Sequence, residues 1–183
     1  MDIGIGLFGL GTVGSGVVKI LQDNADQIAK RTGTHLLVKH AVVNNLEKKR
    51  TGFINNFPIT NDAKDILNNP EIQIVVEVMG TLDQAYKIIK DSLTAKKHVV
   101  TANKDLIASR GQELVAIAEA NGVDLFFEAA VAGGIPILRT LANSFTADEI
   151  SRVAGIINGT SNFILTQMTT NKLSYANALQ LAQ

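Results

Sequence analysis

The chain has 183 residues, 46% hydrophobic but only 5% aromatic, which suits an aliphatic core of parallel strands covered by helices, in one domain or one and part of a second. Seventeen basic residues balance seventeen acidic ones, so nothing in the charge favours nucleic acid or an anionic membrane as partner. The absence of cysteine removes disulfides, thiolate metal sites and thiol nucleophiles, and fits a reducing cytoplasm.

Ile3, Ile5 and Leu7 form an apolar run short enough for a buried strand. Met1 and Asp2 precede it, with no basic segment, which argues against a signal peptide; no apolar run reaches the roughly 18–20 residues that span a bilayer. Gly9-Leu10-Gly11-Thr12-Val13-Gly14 follows, and Val13, Val17, Ile20, Leu21 and Ile28 then recur at helical spacing to about Ala29. Glycines in G-x-G-x-x-G order thus sit where a strand turns into a helix. The first makes the tight turn, the second lets the backbone approach a pyrophosphate, and the third lets helix and strand pack closely. The helix start, with Thr12 and Val13, offers unpaired N–H groups and a positive dipole end to phosphate. The plain alternative is a tight turn with no ligand.

Arg31-Thr32-Gly33-Thr34 reads as a helix exit, and a second strand spans about His35 to Val43. The end of that strand lies beside the adenosine ribose in such folds, where a carboxylate selects NAD and a basic group accommodates NADP. Asn44-Asn45 stand there, followed by Glu47 and Lys48-Lys49-Arg50. Neutral Asn44 and basic Lys48 tip the reading toward NADP, with a solvated surface turn as the competing one. Residues 51–61 read as a loop, from Gly52, Pro58 and several asparagines. A short helix is expected from Asp62 to Leu67, a strand from Ile72 to Met79, and a helix striped by Leu82, Ala85, Ile88, Ile89 and Leu93. His98–Thr101 is a further strand, Leu114, Ile117 and Ala118 mark a helix closed by Asn121-Gly122, and Val123–Phe127 is another strand. This alternation implies an α/β fold with a doubly wound parallel sheet of Rossmann type, whose ligands bind at the carboxyl ends of the strands. Gly80, Thr81, Thr101, Asn103, Lys104 and Glu128 would share that rim.

The pattern changes near Glu128, placing a dinucleotide-binding domain over 1–130 and the start of an α+β substrate and dimerisation domain over 131–183. A helix is expected from Pro136 to Phe145, a strand of a new sheet over Ile150–Ile157, a helix from Gly159 to about Thr169, and a last helix capped by Ser174. That helix is still running at Gln183, which suggests a cut polypeptide. His35, His40 and His98 lack metal-ligand spacing.

Four stretches together resemble the N-terminal half of homoserine dehydrogenases: Gly9–Gly14, Lys97–Lys104, Glu128–Ile137 and Gly155–Phe163. The resemblance implies reversible hydride transfer between NAD(P)H and aspartate 4-semialdehyde, giving homoserine for threonine and methionine biosynthesis, in a cytoplasmic homodimer. It implies that Lys104 is catalytic, holding the developing alkoxide or passing it a proton. Thr101, Asn103, Gly80 and Thr81 become cofactor contacts, although turn capping explains Asn and Thr there equally well. It also implies a sodium or other alkali-metal site from the Glu128 carboxylate and the carbonyls of Val131, Gly133 and Ile135. Asn158, Gly159 and Thr160 match the family's substrate loop, with helix capping as the alternative.

The family's further acidic and lysine-bearing segment, which supplies substrate carboxylates and a second catalytic lysine, would follow the end of this sequence. Many relatives carry Arg-Asp where this chain has Asn44-Asn45. A non-catalytic NAD(P)-binding sensor or assembly module is the second reading. A third reading, a semialdehyde dehydrogenase working through a thiol acyl intermediate, has the lack of cysteine against it.

Overall fold

The computed structural model describes residues 2–50 and 56–183; the expected loop residues 51–55, Gly52 among them, lie outside the described residues. Six strands form one parallel sheet in the order β3-β2-β1-β4-β5-β6. They are β1 (Asp2–Phe8), β2 (His35–Val42), β3 (Ile59–Thr60), β4 (Ile74–Glu77), β5 (His98–Thr101) and β6 (Leu125–Phe126). The intervening helices are α1 (Thr12–Asp23), α2 (Ala25–Thr32), α3 (Lys64–Leu67), α4 (Asp83–Thr94) and α5 (Lys104–Asn121). This is the expected Rossmann-type sheet. The strand order reverses between β1 and β4, and that reversal opens a crevice at their carboxyl ends.

Neighbouring strand residues serve opposite faces, because side chains alternate along a strand. Phe8 and Val75 pack with Ile66, Ile89, Leu93, Leu106 and Leu114 on one face. Leu7 and Val76 pack with Leu10, Val18, Ala41 and Phe57 on the other. The fully apolar strands noted in the sequence are those of a sheet covered on both sides. Gly6 keeps β1 and α3 close: a Cβ there would stand 2.5 Å from Cγ2 of the buried Ile66.

The helix expected to run unbroken to Ala29 is two helices. At Asn24 the backbone leaves helical geometry (φ −112°, ψ 19°), and the side-chain Nδ2 donates to the Ile20 carbonyl at 3.2 Å. An asparagine that bonds its own backbone competes with helix propagation. The inward side of α1 is Gly14, Val18 and Leu21, while Val13 and Ile20 of the expected stripe are more than half exposed. β3 was not anticipated; it is two residues long, too short for a periodicity to register.

Lys97, just before β5, closes the amino end of the sheet. Its buried ammonium donates to the carbonyls of Asn69 (2.7 Å) and Ile72 (2.6 Å).

The chain divides into two compact units, Met1–Leu138 and Arg139–Gln183. Within the first unit, Glu128 Oε1 accepts the Leu138 N–H at 3.0 Å and ties the segment after residue 130 back to the sheet domain. The expected helix over 136–145 is α6 (Ile137–Arg139) continuing as a π turn at Thr140–Ser144. In the second unit α7 (Gly159–Thr170) and α8 (Tyr175–Ala182) pack together, with Ile164 and Ala178 buried. Residues 150–157, expected as a strand, carry no regular structure, and Ile157 is 99% exposed. A strand needs a neighbour for its backbone bonds, and no second sheet exists among the described residues. No helix of the described residues is long and apolar enough to cross a membrane.

Burial pushes the Lys97 ammonium below the ordinary lysine range, since desolvation penalises the charged form. The charged side chain therefore costs stability at neutral pH, and that cost fades as pH rises from the folded value to the unfolded one. Wild type should gain stability relative to Lys97→Met across that alkaline window in denaturant titrations. A pH-independent difference would refute it.

Candidate active site

The glycine-rich turn joins β1 to α1 at the crevice. Gly9 has φ +97°, which an L side chain rarely adopts, and donates its N–H to the Val42 carbonyl at 3.0 Å. Gly14 lies so close behind it that a Cβ would stand 2.1 Å from the Gly9 carbonyl oxygen. Gly11 differs from both: a Cβ there would meet nothing within 4 Å. The turn is thus closed tightly at Gly9 and Gly14 and left open at Gly11. Gly11 is also the N-cap of α1, so no side chain caps the helix, and no acidic residue occupies its first turn. The N–H groups of Thr12, Val13 and Gly14 precede the first intrahelical bond, from Ser15 N–H to the Gly11 carbonyl. Unpaired N–H groups at the start of a helix are donors suited to an anion.

Beside the turn lies a cavity of about 220 Å³. Gly9 and Gly11 line it together with Val42, Asn44, Asn45, Lys48, Arg50 and Met79. The loop after β2 is built by side chains. Asn45 Oδ1 accepts the N–H groups of Glu47 (2.9 Å) and Lys48 (3.2 Å). Arg50 fastens this loop to the glycine-rich turn: Nε donates to the Leu10 carbonyl at 3.2 Å, while its terminal nitrogens donate to the carbonyls of Lys48 and Asn45, each at 2.8 Å. In the sequence Arg50 was one member of a basic run; its fastening role depends on a contact forty positions away, which composition does not reveal. Lys48 and Asn44 are exposed at the cavity, and among the described residues no acidic side chain lines it.

At the carboxyl ends of β4 and β5 the strand register sets Glu77 opposite Thr101. Thr101 is fully buried, and its hydroxyl donates to Glu77 Oε2 at 2.7 Å while accepting the Asn103 N–H at 3.0 Å. Asn103 caps α5 by accepting the Leu106 N–H at 3.2 Å, and its Nδ2 donates to the Thr81 carbonyl at 2.7 Å. Both ends of that amide are engaged within the chain, as in the turn-capping alternative, so Thr101 and Asn103 shape the rim from behind its surface. Gly80 (φ +73°) and Thr81 stay exposed, and Lys104, the first residue of α5, projects as an exposed ammonium next to Asn103. Glu77 had no place in the site read from the sequence.

Glu128 opens a 3-10 turn, Glu128–Ala130, rather than ending a strand. Ala132 and Gly133 both have φ +58°, curling the backbone that carries Val131, Gly133 and Ile135. One carboxylate with backbone carbonyls is a hard-oxygen donor set of the kind alkali cations take. Among the described residues there is no group of three or more His, Cys, Asp or Glu fit to hold a metal ion. In the second unit Asn158 Oδ1 caps α7 through the Ser161 N–H at 2.8 Å, and Gly159 and Thr160 are exposed in its first turn.

Comparison with known proteins identifies the family. The family model for the homoserine dehydrogenase NAD-binding domain matches residues 9–128, and that for homoserine dehydrogenase matches residues 136–183. The chain is 49% identical over 181 residues to the homoserine dehydrogenase of Bacillus subtilis, covering 99% of this chain and 42% of that protein. A homoserine dehydrogenase from Thiobacillus denitrificans superposes with a TM-score of 0.91 at 45% identity, covering 100% of this chain and 42% of that one. A hyperthermophilic archaeal homoserine dehydrogenase in complex with NADPH superposes with a TM-score of 0.76 at 28% identity, over 100% of this chain and 60% of that one. The chain thus spans about two fifths of the length of the curated relatives it matches. With a Rossmann-type sheet, a glycine-rich turn open to phosphate and matches along its length, this chain belongs to the homoserine dehydrogenase family.

Proposed function

We propose that this chain binds NADP(H), and NAD(H) more weakly, for hydride exchange between L-homoserine and L-aspartate 4-semialdehyde, a step toward threonine and methionine in the cytoplasm. The observation that supports it best is the contrast at the opening turn, shut at Gly9 and Gly14 and vacant at Gly11. The backbone N–H groups of Thr12, Val13 and Gly14 hold the pyrophosphate, and Asn44 and Lys48 face the adenosine ribose across the cavity. Lys48, with no acidic neighbour in the lining among the described residues, favours the 2′-phosphate. Bound nicotinamide supplies the hydride donor or acceptor. Gly80 and Thr81 border its place, fixed from beneath by Thr101 and Asn103. Lys104 holds the substrate oxygen as negative charge develops there and transfers a proton to or from it. Asn158, Gly159 and Thr160 take the amino-acid end of the substrate. An alkali cation held by Glu128 with the carbonyls of Val131, Gly133 and Ile135 would order the junction. The apolar exposure of Val153, Ile156 and Ile157 suits a homodimer.

Two alanine substitutions separate binding from folding. Gly11→Ala should leave stability within about 1 kcal/mol, since nothing crowds its Cβ, yet weaken dinucleotide binding about tenfold or more by filling the approach. Gly14→Ala should destabilise by about 1–3 kcal/mol through its clash with the Gly9 carbonyl. If Gly11→Ala binds NADPH and NADH as wild type does in fluorescence titrations, the reading fails.

Lys48→Ala should weaken NADPH about tenfold and leave NADH within about twofold, the pattern of a lost phosphate contact. Equal losses for both cofactors would reject Lys48 as the 2′-phosphate ligand.

In a turnover-competent preparation, Lys104→Ala should lower kcat for homoserine oxidation by about a hundredfold or more while leaving the NADPH Kd within about twofold. Retained turnover would remove Lys104 from the chemistry.

A further inference from the structure

A buried carboxylate lies directly beneath the rim, with no part in the binding roles given above. Glu77 is fully buried at the end of β4, where an isolated charge would be costly. It is met on both oxygens: Oε1 accepts the Met79 N–H at 2.8 Å, and Oε2 accepts the Thr101 hydroxyl at 2.7 Å. With its hydrogen donated to Glu77, the Thr101 hydroxyl points its lone pairs at the Asn103 N–H. Asn103 then divides its amide between the start of α5 and the Thr81 carbonyl. One carboxylate therefore fixes, through Thr101 and then Asn103, two exposed pieces of the rim: the Gly80–Thr81 turn and the Lys104 end of α5.

We infer that Glu77 is a positioning residue for the nicotinamide half of the site, an inference that rests on the proposed dinucleotide function. It touches neither cofactor nor substrate; it orients Thr101, and through Asn103 it sets the distance between Thr81 and Lys104. The adenosine half is held otherwise, by the backbone of the glycine-rich turn and by Arg50 on three carbonyls. The two halves are thus separable by mutation. Glu77→Gln keeps an acceptor for Met79 N–H but turns a donor toward Thr101, whose hydroxyl then loses its acceptor. Thr101→Val deletes the same link from the other side at nearly constant volume. Thr101→Ser restores it.

The 183-residue chain is titrated calorimetrically with NADPH and with 2′-phospho-ADP-ribose, the same molecule without nicotinamide. Glu77→Gln and Thr101→Val should each weaken NADPH about five- to tenfold and the nicotinamide-free ligand less than about twofold. Thr101→Ser should match wild type with both ligands. General loosening of the fold would weaken both ligands alike, and that result, or an unchanged NADPH affinity, overturns the inference. If Glu77→Gln loses its folded circular-dichroism spectrum, the Thr101→Val and Thr101→Ser pair decides by the same criterion. Wild-type chain that binds neither ligand overturns the dinucleotide reading, and this inference with it; selective failure in the variants overturns the inference alone.

Discussion

Everything at the rim depends on how closely α1 approaches the end of β1. A single carbon atom on residue 14 would stand 2.1 Å from the Gly9 oxygen, far inside van der Waals contact, so the helix could not begin where it does. Starting there, α1 points its first N–H groups into the crevice that the strand-order reversal leaves between β1 and β4. Gly9 closes the same contact from its other side, near the Val78 carbonyl, and ties β1 to β2 through Val42. Three strands and one helix thus meet at a point where side chains are excluded. That exclusion leaves backbone donors as the surface presented to a ligand.

The two ends of the crevice are built on different principles. On the β2 side, Arg50 spends its guanidinium on carbonyl oxygens, as a planar fork with several fixed donors can. On the β5 side the fastening is a side-chain relay anchored by a carboxylate in the core. In both places the polar groups nearest the rim serve the chain itself, and the exposed residues Lys48, Thr81 and Lys104 stand on that support.

The sequence was most legible where one local rule decides the outcome. Apolar runs between glycine and polar turns marked the long strands, and Gly122 closed α5 in the left-handed conformation such a cap needs. It was least legible where a side chain acts at a distance. Nothing in the run Ile74–Glu77 distinguishes its last residue from a strand-end surface glutamate; only pairing in register with β5 brings Thr101 to it. Arg50 is similar, since its partner Leu10 is remote in the chain. Asn24 misled for the opposite reason: the apolar stripe ran through it, but one side-chain bond to Ile20 outweighed the period. Residues 150–157 have a strand's composition, and composition supplies no neighbour.

The sheet's margins carry a further consequence. β3 and β6, its outermost strands, are two residues each, so little unpaired backbone is offered to another chain. Short margins of this kind are how natural sheets avoid templating intermolecular growth. The exposed, apolar stretch around Ile156 and Ile157 has no such protection in the single chain. In a copy without its proposed dimer partner, unwanted association would start there rather than at the margins of the sheet.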